Sequence, residues 1–333
     1  MSSFNTYATI SLAFLVKGAI PIIYYFIVNP KSRSGKGLEI WNRLKTKLEQ
    51  KQIPYRADLT EHTGHAAELA AEISSPRFKD PEAKILVALG GDGTLNEVVN
   101  GLSLSHSVSL AYIPCGSGND FARGMKLAKT PEKLLNRLLD GGECRYIDYG
   151  ILTYMKEHPS HRRFVVSAGI GFDADVCRNM FTTKLKGTLN RLHIGKLAYL
   201  LIGIKRIVLC KSADGVLTLD GIKKMRLHRI RFISFHNQKF EGGGFRFAPA
   251  AIPDDGYLNL CIVSGVSRLG LTKILLASLS GKHTLCNGVR SYTCKEAQLQ
   301  IDQPLEVHAD GESCFPQTEI SVRCERQRLR LIL

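Results

Sequence analysis

The chain has 333 residues, 44% of them hydrophobic and 23% charged, a balance that supports one large core or two ordinary ones and excludes a disordered tail, a collagen-like chain and a disulfide miniprotein. Lysine and arginine outnumber aspartate and glutamate by 45 to 30, and the resulting +15 predicts attraction to a polyanion: nucleic acid, an acidic membrane surface or a polyphosphate ligand. The nine cysteines are scattered and contain no C-x-x-C pair, which predicts reduced thiols in a cytoplasmic protein rather than a disulfide framework or a zinc cage.

At the N-terminus, Ile10–Val16 is an apolar run resembling the core of a signal peptide, but Lys17 and Pro21 interrupt it and no A-x-A cleavage pattern follows. Residues 1–21 are therefore expected to be an extension that can touch a membrane. No stretch of about 18 uncharged apolar residues occurs, so no transmembrane helix is expected.

From Ile22 onward, strand-like and helix-period segments alternate: Ile22–Val28, Leu38–Lys51, Gly64–Ile73, Lys84–Leu89, Leu95–Gly101 and Ser109–Ile113. This alternation predicts a parallel α/β sheet. Thr130-Pro131-Glu132 opens another helix, with Thr130 at the N-cap. After Cys144 the texture changes to short runs rich in Val, Ile, Phe and Tyr: Phe164–Ser167, Val216–Leu219, His228–Phe235, Tyr257–Val263 and Gln298–Ile301. They predict an antiparallel β domain with two helical insertions, Leu189–Val208 and Leu269–Leu279. The expected domains are 22–145, an α/β nucleotide domain, and 146–325, a β-sandwich, with a segment 326–333 that can return to the first.

Three loops carry chemistry. Asn29-Pro30-Lys31-Ser32-Arg33-Ser34-Gly35-Lys36 fails as a P-loop, because Pro30 replaces its first glycine and Gly37 its Ser/Thr; what survives is a basic loop whose Lys36 can reach phosphate. Gly90-Gly91-Asp92-Gly93-Thr94-Leu95-Asn96-Glu97 lies between a buried strand and a helical run, a geometry that aims backbone N–H groups at phosphate. There Asp92 can hold a metal and Thr94 can donate to phosphate oxygen. Pro114-Cys115-Gly116-Ser117-Gly118-Asn119-Asp120 repeats the pattern one strand later, with Asp120 a second candidate acid. His62 and His65 have metal-like spacing but no third ligand nearby in sequence, and read as solvated helix-start residues.

GGDGTLNEVVNG (Gly90–Gly101) followed by PCGSGNDFAR (Pro114–Arg123) resembles the catalytic domain of diacylglycerol kinases and the related bacterial soluble lipid kinases. The resemblance extends through Asn29-Pro30, Thr60, Gly242-Gly243-Gly244, Asp254-Asp255-Gly256-Tyr257 and Asp310-Gly311-Glu312, in the family's order. It implies an ATP- and Mg²⁺-dependent, two-domain kinase with its active site between the domains. ATP contacts would fall on Asn29, Pro30, Lys31, Ser32, Arg33, Thr60, Gly91, Asp92, Gly93, Thr94, Leu95, Asn96, Glu97 and Ser117. Glu312 would be the general base. Asp255, with backbone groups of Ile252 and Tyr257, would hold a structural Mg²⁺, and Asp148 would join a Mg²⁺ water network. Catalysis is thus expected to rest on Glu312, Asp92, Asp120 and Lys36.

The expected reaction passes the ATP γ-phosphoryl group to diacylglycerol, giving phosphatidic acid. NAD kinase shares GGDGT but not GSGNDFAR; a sphingoid-base or ceramide kinase, favoured by Ala in place of Asp120, and a non-catalytic regulator are the other rivals. Residues 158–246 hold 17 Lys and Arg against 5 Asp and Glu, without any helix-turn-helix, RNP strand or zinc finger. The expected partner is accordingly the anionic inner leaflet, visited peripherally, rather than nucleic acid. A homodimer is left open.

Overall fold

The computed structural model describes residues 22–75, 83–104, 108–182 and 206–333. The extension 1–21 and nearly all of the insertion expected at Leu189–Val208 lie outside the described residues. The chain divides into two compact units: the first holds the described residues up to 116 together with 127–145 and 329–333, the second 117–126 and 146–328.

In the first unit, strands β1 (Ile22–Val28), β2 (Tyr55–Leu59), β3 (Ala83–Gly90) and β4 (Ser109–Pro114) alternate with helices α1 (Lys36–Gln50), α2 (His65–Ile73) and α3 (Asp92–Gly101). After a short helix α4 (Asp120–Gly124), which belongs to the second unit, α5 (Pro131–Leu139) completes the set. The sheet is parallel in the order β4-β3-β1-β2. Its pleat sorts β1: Tyr24, Phe26 and Val28 pack with Trp41, Leu44 and Leu48 of α1 and Leu134, Leu135 and Leu138 of α5. Tyr25 and Ile27, also buried, point to the opposite face, where α2 and α3 pack on β1 and β3. Helices on both faces of a parallel sheet make the expected three layers.

Alpha-helices α2 and α3 approach closely at Gly101, where a Cβ would lie 2.0 Å from the Ala67 carbonyl oxygen. Backbone cannot swing aside as a side chain can, so Gly101→Ala is expected to lower stability by about 1–3 kcal/mol, read as a lower urea midpoint with an unchanged slope. An unchanged midpoint would show that the helices separate freely. Helix α5 starts at Pro131 after an extended Thr130, as expected, but the threonine side chain makes no capping bond.

The second unit is antiparallel. Strands β5 (Cys144–Met155) and β6 (Pro159–Phe164) form a hairpin, and β7 (Ser167–Gly171) leads into α6 (Phe172–Thr182). There follow β8 (Ala213–Leu219), β9 (Lys223–His236), β10 (Leu258–Ser264), α7 (Arg268–Ser278), β11 (Val289–Cys294), β12 (Glu296–Leu305), β13 (Val307–Ala309), β14 (Glu312–Ser313) and β15 (Gln317–Ile332). The main path runs β14-β13-β7-β9-β8-β12-β15, with β10 and β11 branching from β9 and β5 pairing with β15. Strand β9 serves three partners and kinks at Arg229 (φ 48°), whose N–H and the neighbouring His228 ring bind the Asp214 carboxylate. Before the kink β9 pairs with β8; beyond it, with β7 and β10.

Leu258, Leu260 and Ile262 of β10 face the main core with Phe164, Leu217, Phe235, Leu299 and Val322. Cys261 and Val263 face the other way, under Leu271, Ile274 and Leu275 of α7. The strand expected at Phe164–Ser167 is instead a break between β6 and β7, for a reason that appears below. All nine cysteines are unpaired, as expected. Among the described residues no helix is long and apolar enough to cross a membrane.

Candidate functional site

In the first unit the strand order places β2 on one side of β1 and β3 on the other, so the chain reverses its direction of travel between β1 and β3. Ligands of open α/β sheets bind at such a reversal, outside the carboxyl ends of the strands. The loops found in the sequence leave these ends: Asn29 donates its N–H to Leu89 O (2.8 Å), Thr60 to Val28 O (2.8 Å) and Cys115 to Gly90 O (2.6 Å). A Cβ on Gly91 would stand 3.4 Å from Gly116 Cα, so the turns after β3 and β4 run side by side.

The sequence suggested a glycine loop followed by a helix from about Leu95; the structure begins α3 at Asp92, with Gly91 extended at the N-cap. Asp92, Gly93 and Thr94 are its first turn. The reason is local, since extended Gly91 leaves its carbonyl free to accept from Leu95 N–H (3.1 Å), closing the first helical bond. Helices α1, α2 and α3 all start behind glycine N-caps, Gly35, Gly64 and Gly91, without a side-chain cap. Their N-terminal dipole ends thus share one edge of the sheet, an arrangement that favours anions.

Side chains join the three turns. Asn29 Nδ2 donates to Thr94 Oγ1 (2.9 Å), and Asn29 Oδ1 accepts from Lys31 N–H (3.0 Å). Lys31 Nζ reaches Glu61 O (3.1 Å), and Glu97 accepts from Ala66 N–H (3.3 Å). Pro30 is half-buried, Arg33 and Lys36 are exposed, and Ser32 and Thr60 are buried. Leu95 and Asn96 turn into the core, where Asn100 bonds the Asn96 carbonyl (2.9 Å), so in this run Gly91, Asp92, Gly93 and Glu97 keep exposed surface. His62 and His65 stack at 4.8 Å, and His65 accepts from Glu61 N–H (3.1 Å), which fits helix-start residues.

Ser117 and Asp120 fall in the second unit. Ser117 is exposed. Asp120 is buried, paired with Arg123 through one oxygen, and through the other it accepts from Gly243 N–H (2.7 Å). The carboxylate expected to organise a metal thus also bonds the turn Gly242-Gly243-Gly244, where positive φ at all three positions (61°, 84° and 115°) favours glycine.

Asp148 is fully buried and accepts from Gly256 N–H (2.6 Å), while its own N–H donates to Pro253 O (2.8 Å). It is thereby joined to the turn containing Asp255, whose Oδ1 accepts from Tyr257 N–H (3.0 Å); Ile252 and Tyr257 are exposed. Both carboxylates thus belong to one turn region, and carboxylate oxygens are hard donors of the kind Mg²⁺ takes.

Glu312 opens β14, partly buried, in register with Ala309. Asp310 and Gly311 form the hairpin turn with φ of 49° and 86°, the primed pattern for which Asp-Gly is suited. The Asp310 carboxylate accepts backbone N–H groups from Val165 (2.9 Å), Val166 (2.9 Å) and Ser167 (3.0 Å), which is why the chain breaks between β6 and β7. Behind the turn His308 Nδ1 accepts from Gly311 N–H (3.1 Å), and its Nε2 faces Asp173 and Glu241. Burial works against charge on His308, but Cys177, Asp173 and Glu241 outweigh it and push its pKa well above the usual imidazole value; burial pushes the Glu241 carboxyl up. The sequence reading missed this group. The only signal for it is His308 itself, two residues before Asp310.

Two family models match the chain: the diacylglycerol kinase catalytic domain over residues 24–150 and the YegS C-terminal NAD kinase beta sandwich-like domain over 165–333. The chain is 30% identical over 289 residues, 87% of its length and 93% of the relative's, to the Bacillus subtilis (strain 168) protein named "Putative lipid kinase YtlR". It is 27% identical over 291 residues, 86% of its length and 87% of the relative's, to "Diacylglycerol kinase" of Staphylococcus saprophyticus. The crystal structure of a diacylglycerol kinase from Bacillus anthracis str. Sterne superposes with a TM-score of 0.68 at 18% identity, over 95% of this chain and 98% of that one, a likeness of fold.

Proposed function

The chain belongs to the diacylglycerol kinase catalytic-domain family of lipid kinases, and from that premise we propose that it transfers the γ-phosphoryl group of ATP to the hydroxyl of diacylglycerol, giving phosphatidic acid. The observation that carries the proposal is the meeting of three uncapped, glycine-led helix starts at the reversal point of the first unit's sheet. Backbone N–H groups and helix dipoles there suit a polyphosphate, and the Asn29–Thr94 bond fixes the loop after β1 to the start of α3. The residues that would hold ATP are Asn29–Arg33, Thr60, Gly91–Glu97 and Ser117, with Leu95 and Asn96 limited to backbone contact by their burial.

Asp92 stands half-exposed on the first turn of α3, where a carboxylate can hold a cation beside phosphate. Lys36, exposed at the start of α1, offsets phosphate charge. Asp255, Ile252 and Tyr257, with Asp148 behind them, would hold a second, structural Mg²⁺. When bound, Mg²⁺ supplies charge neutralisation at phosphate oxygens. Glu312 accepts the proton of the lipid hydroxyl as the oxygen forms its bond to phosphorus and ADP departs.

The test is transfer of labelled phosphate from ATP, by the purified chain, to vesicles carrying diacylglycerol, monoacylglycerol, sphingosine, ceramide or polyprenol, with NAD as a soluble acceptor. Diacylglycerol is expected to be the best acceptor; a tenfold preference for any other would replace it. The basic excess of residues 158–246 supports peripheral attachment to an anionic leaflet, so turnover is expected to rise with anionic lipid and fall with salt. Salt-independent turnover would remove that part of the proposal.

A further inference from the structure

The buried group behind the Asp310–Gly311 turn contains donor atoms that phosphoryl transfer does not use. His308 Nε2 lies 3.3 Å from Glu241 Oε1 and 3.4 Å from Asp173 Oδ2, yet among the described residues His308 Nε2, Asp173 Oδ2 and Glu241 Oε2 are buried without a partner in hydrogen-bonding geometry. Cys177 completes the group: its sulfur and the donor atoms of Glu241 and His308 lie within 4.8 Å of one another. Asp173 and Cys177 stand four residues apart on α6 and so share one face of the helix. The side chains of His308, Asp173 and Glu241 are 1%, 4% and 8% exposed.

Charge and distance both point to a cation. Two carboxylates are buried together, and among the described residues they face no Lys or Arg, only the imidazoles of His308 and, 3.5 Å from Glu241 Oε2, His236, so one histidine cation at most stands against two carboxylates and a thiol. Buried charges are ordinarily paired or bound to metal. Hydrogen bonds of the N–H···O type span about 2.7–3.2 Å, whereas ligand atoms on bonds of about 2.0–2.3 Å around a tetrahedral ion stand about 3.3–3.8 Å apart. The 3.3 Å separation of His308 Nε2 and Glu241 Oε1 matches such an edge, and the Cys177 sulfur lies within 4.8 Å of both donor atoms. A thiol, an imidazole and carboxylates make a mixed, borderline-soft set, which favours zinc over magnesium or calcium.

We propose that Cys177, Glu241 and His308, with Asp173 beside His308, form a site for a zinc-type divalent cation, which ties α6, the turn beginning at Glu241 and the β13–β14 hairpin together. It is distinct from the oxygen donors around Asp255. Binding forms metal bonds to sulfur, nitrogen and carboxylate oxygen and involves no redox change. The thiol proton of Cys177 leaves to solvent. Because Nε2 must offer its lone pair, the ring proton resides on Nδ1, where Gly311 N–H now donates. Loading therefore exchanges that one hydrogen bond for the metal bonds, and the Gly311 amide becomes a reporter of occupancy.

The full-length chain, stripped with chelator and titrated with Co²⁺ alone, is expected to bind one equivalent with a thiolate-to-cobalt charge-transfer band in the near ultraviolet. The band should vanish in Cys177→Ser, and the zinc content of protein purified from zinc-supplemented cells should fall from about one per chain at least tenfold in Cys177→Ser/His308→Gln. Absence of the band in wild type, or its persistence in Cys177→Ser, overturns the proposal. Cys177 is only partly buried, so its single variant keeps the test decisive if the double variant fails to fold. None of these readouts depends on ATP turnover, so they stand or fall apart from the kinase reading.

Discussion

Glu312→Gln is expected to lower kcat for lipid phosphorylation by about 10²–10⁴-fold, the range general-base catalysis supplies, with little change in the KM for ATP. Glutamine keeps the size and hydrogen-bonding reach of the side chain but cannot take up the hydroxyl proton. The residue is placed by a short chain of causes: Glu312 pairs with Ala309, the turn between them is set by Asp310 and Gly311, and that turn is tied to the β6–β7 break. A kcat within threefold of wild type would remove Glu312 from the proton-transfer role. A rise in ATP KM with unchanged kcat would instead assign it to binding.

Asp310→Ala should be among the most damaging changes to folding. It takes the acceptor from three backbone N–H groups at once, those of Val165, Val166 and Ser167, and leaves a non-glycine residue at φ 49° without the side chain that stabilised it. At about 1–3 kcal/mol for a donor left unsatisfied, and with water reaching part of the site, the expected loss is about 2–4 kcal/mol, measured by urea unfolding. Asp310→Asn should recover part of it, because one amide oxygen can still serve Val166 and Ser167 as Oδ1 does now. Equal losses in the two variants would show that charge, not acceptor geometry, holds the break together.

Strands β1, β3 and β4 of the layered α/β unit were legible because they are continuous apolar runs, and its helices because they repeat with a 3.6-residue period, both properties of neighbouring residues; β2, whose YRADL is mostly exposed, offered no such run. The glycine turns at the strand ends were legible for the same reason, since glycines and a following helix lie within ten residues. The exact start of α3 was not, because a helix that begins on Gly-Asp-Gly has weak intrinsic propensity and forms through the extended Gly91 cap and the packing of Leu95, Val98 and Val99. Nor could the sequence show that Asp120 bonds Arg123 and Gly243, partners that only the fold assigns. The group of Asp173, Cys177, Glu241 and His308 is the extreme case: its members are separated by up to 135 positions, with no spacing rule between them.

The strand β15 carries one more consequence. Its last residues belong to the first unit, where Leu331 and Ile332 lie parallel to Leu110 and Ala111, and Glu143 and Leu333 exchange both backbone hydrogen bonds (3.2 and 2.9 Å). During synthesis, then, the first unit's parallel sheet keeps its β4 edge unpaired until the second unit has been made, because Leu331 and Ile332 follow that unit in the chain. Nascent chains cut before Leu329 would leave the β4 edge exposed besides the β2 edge, a further template for aggregation.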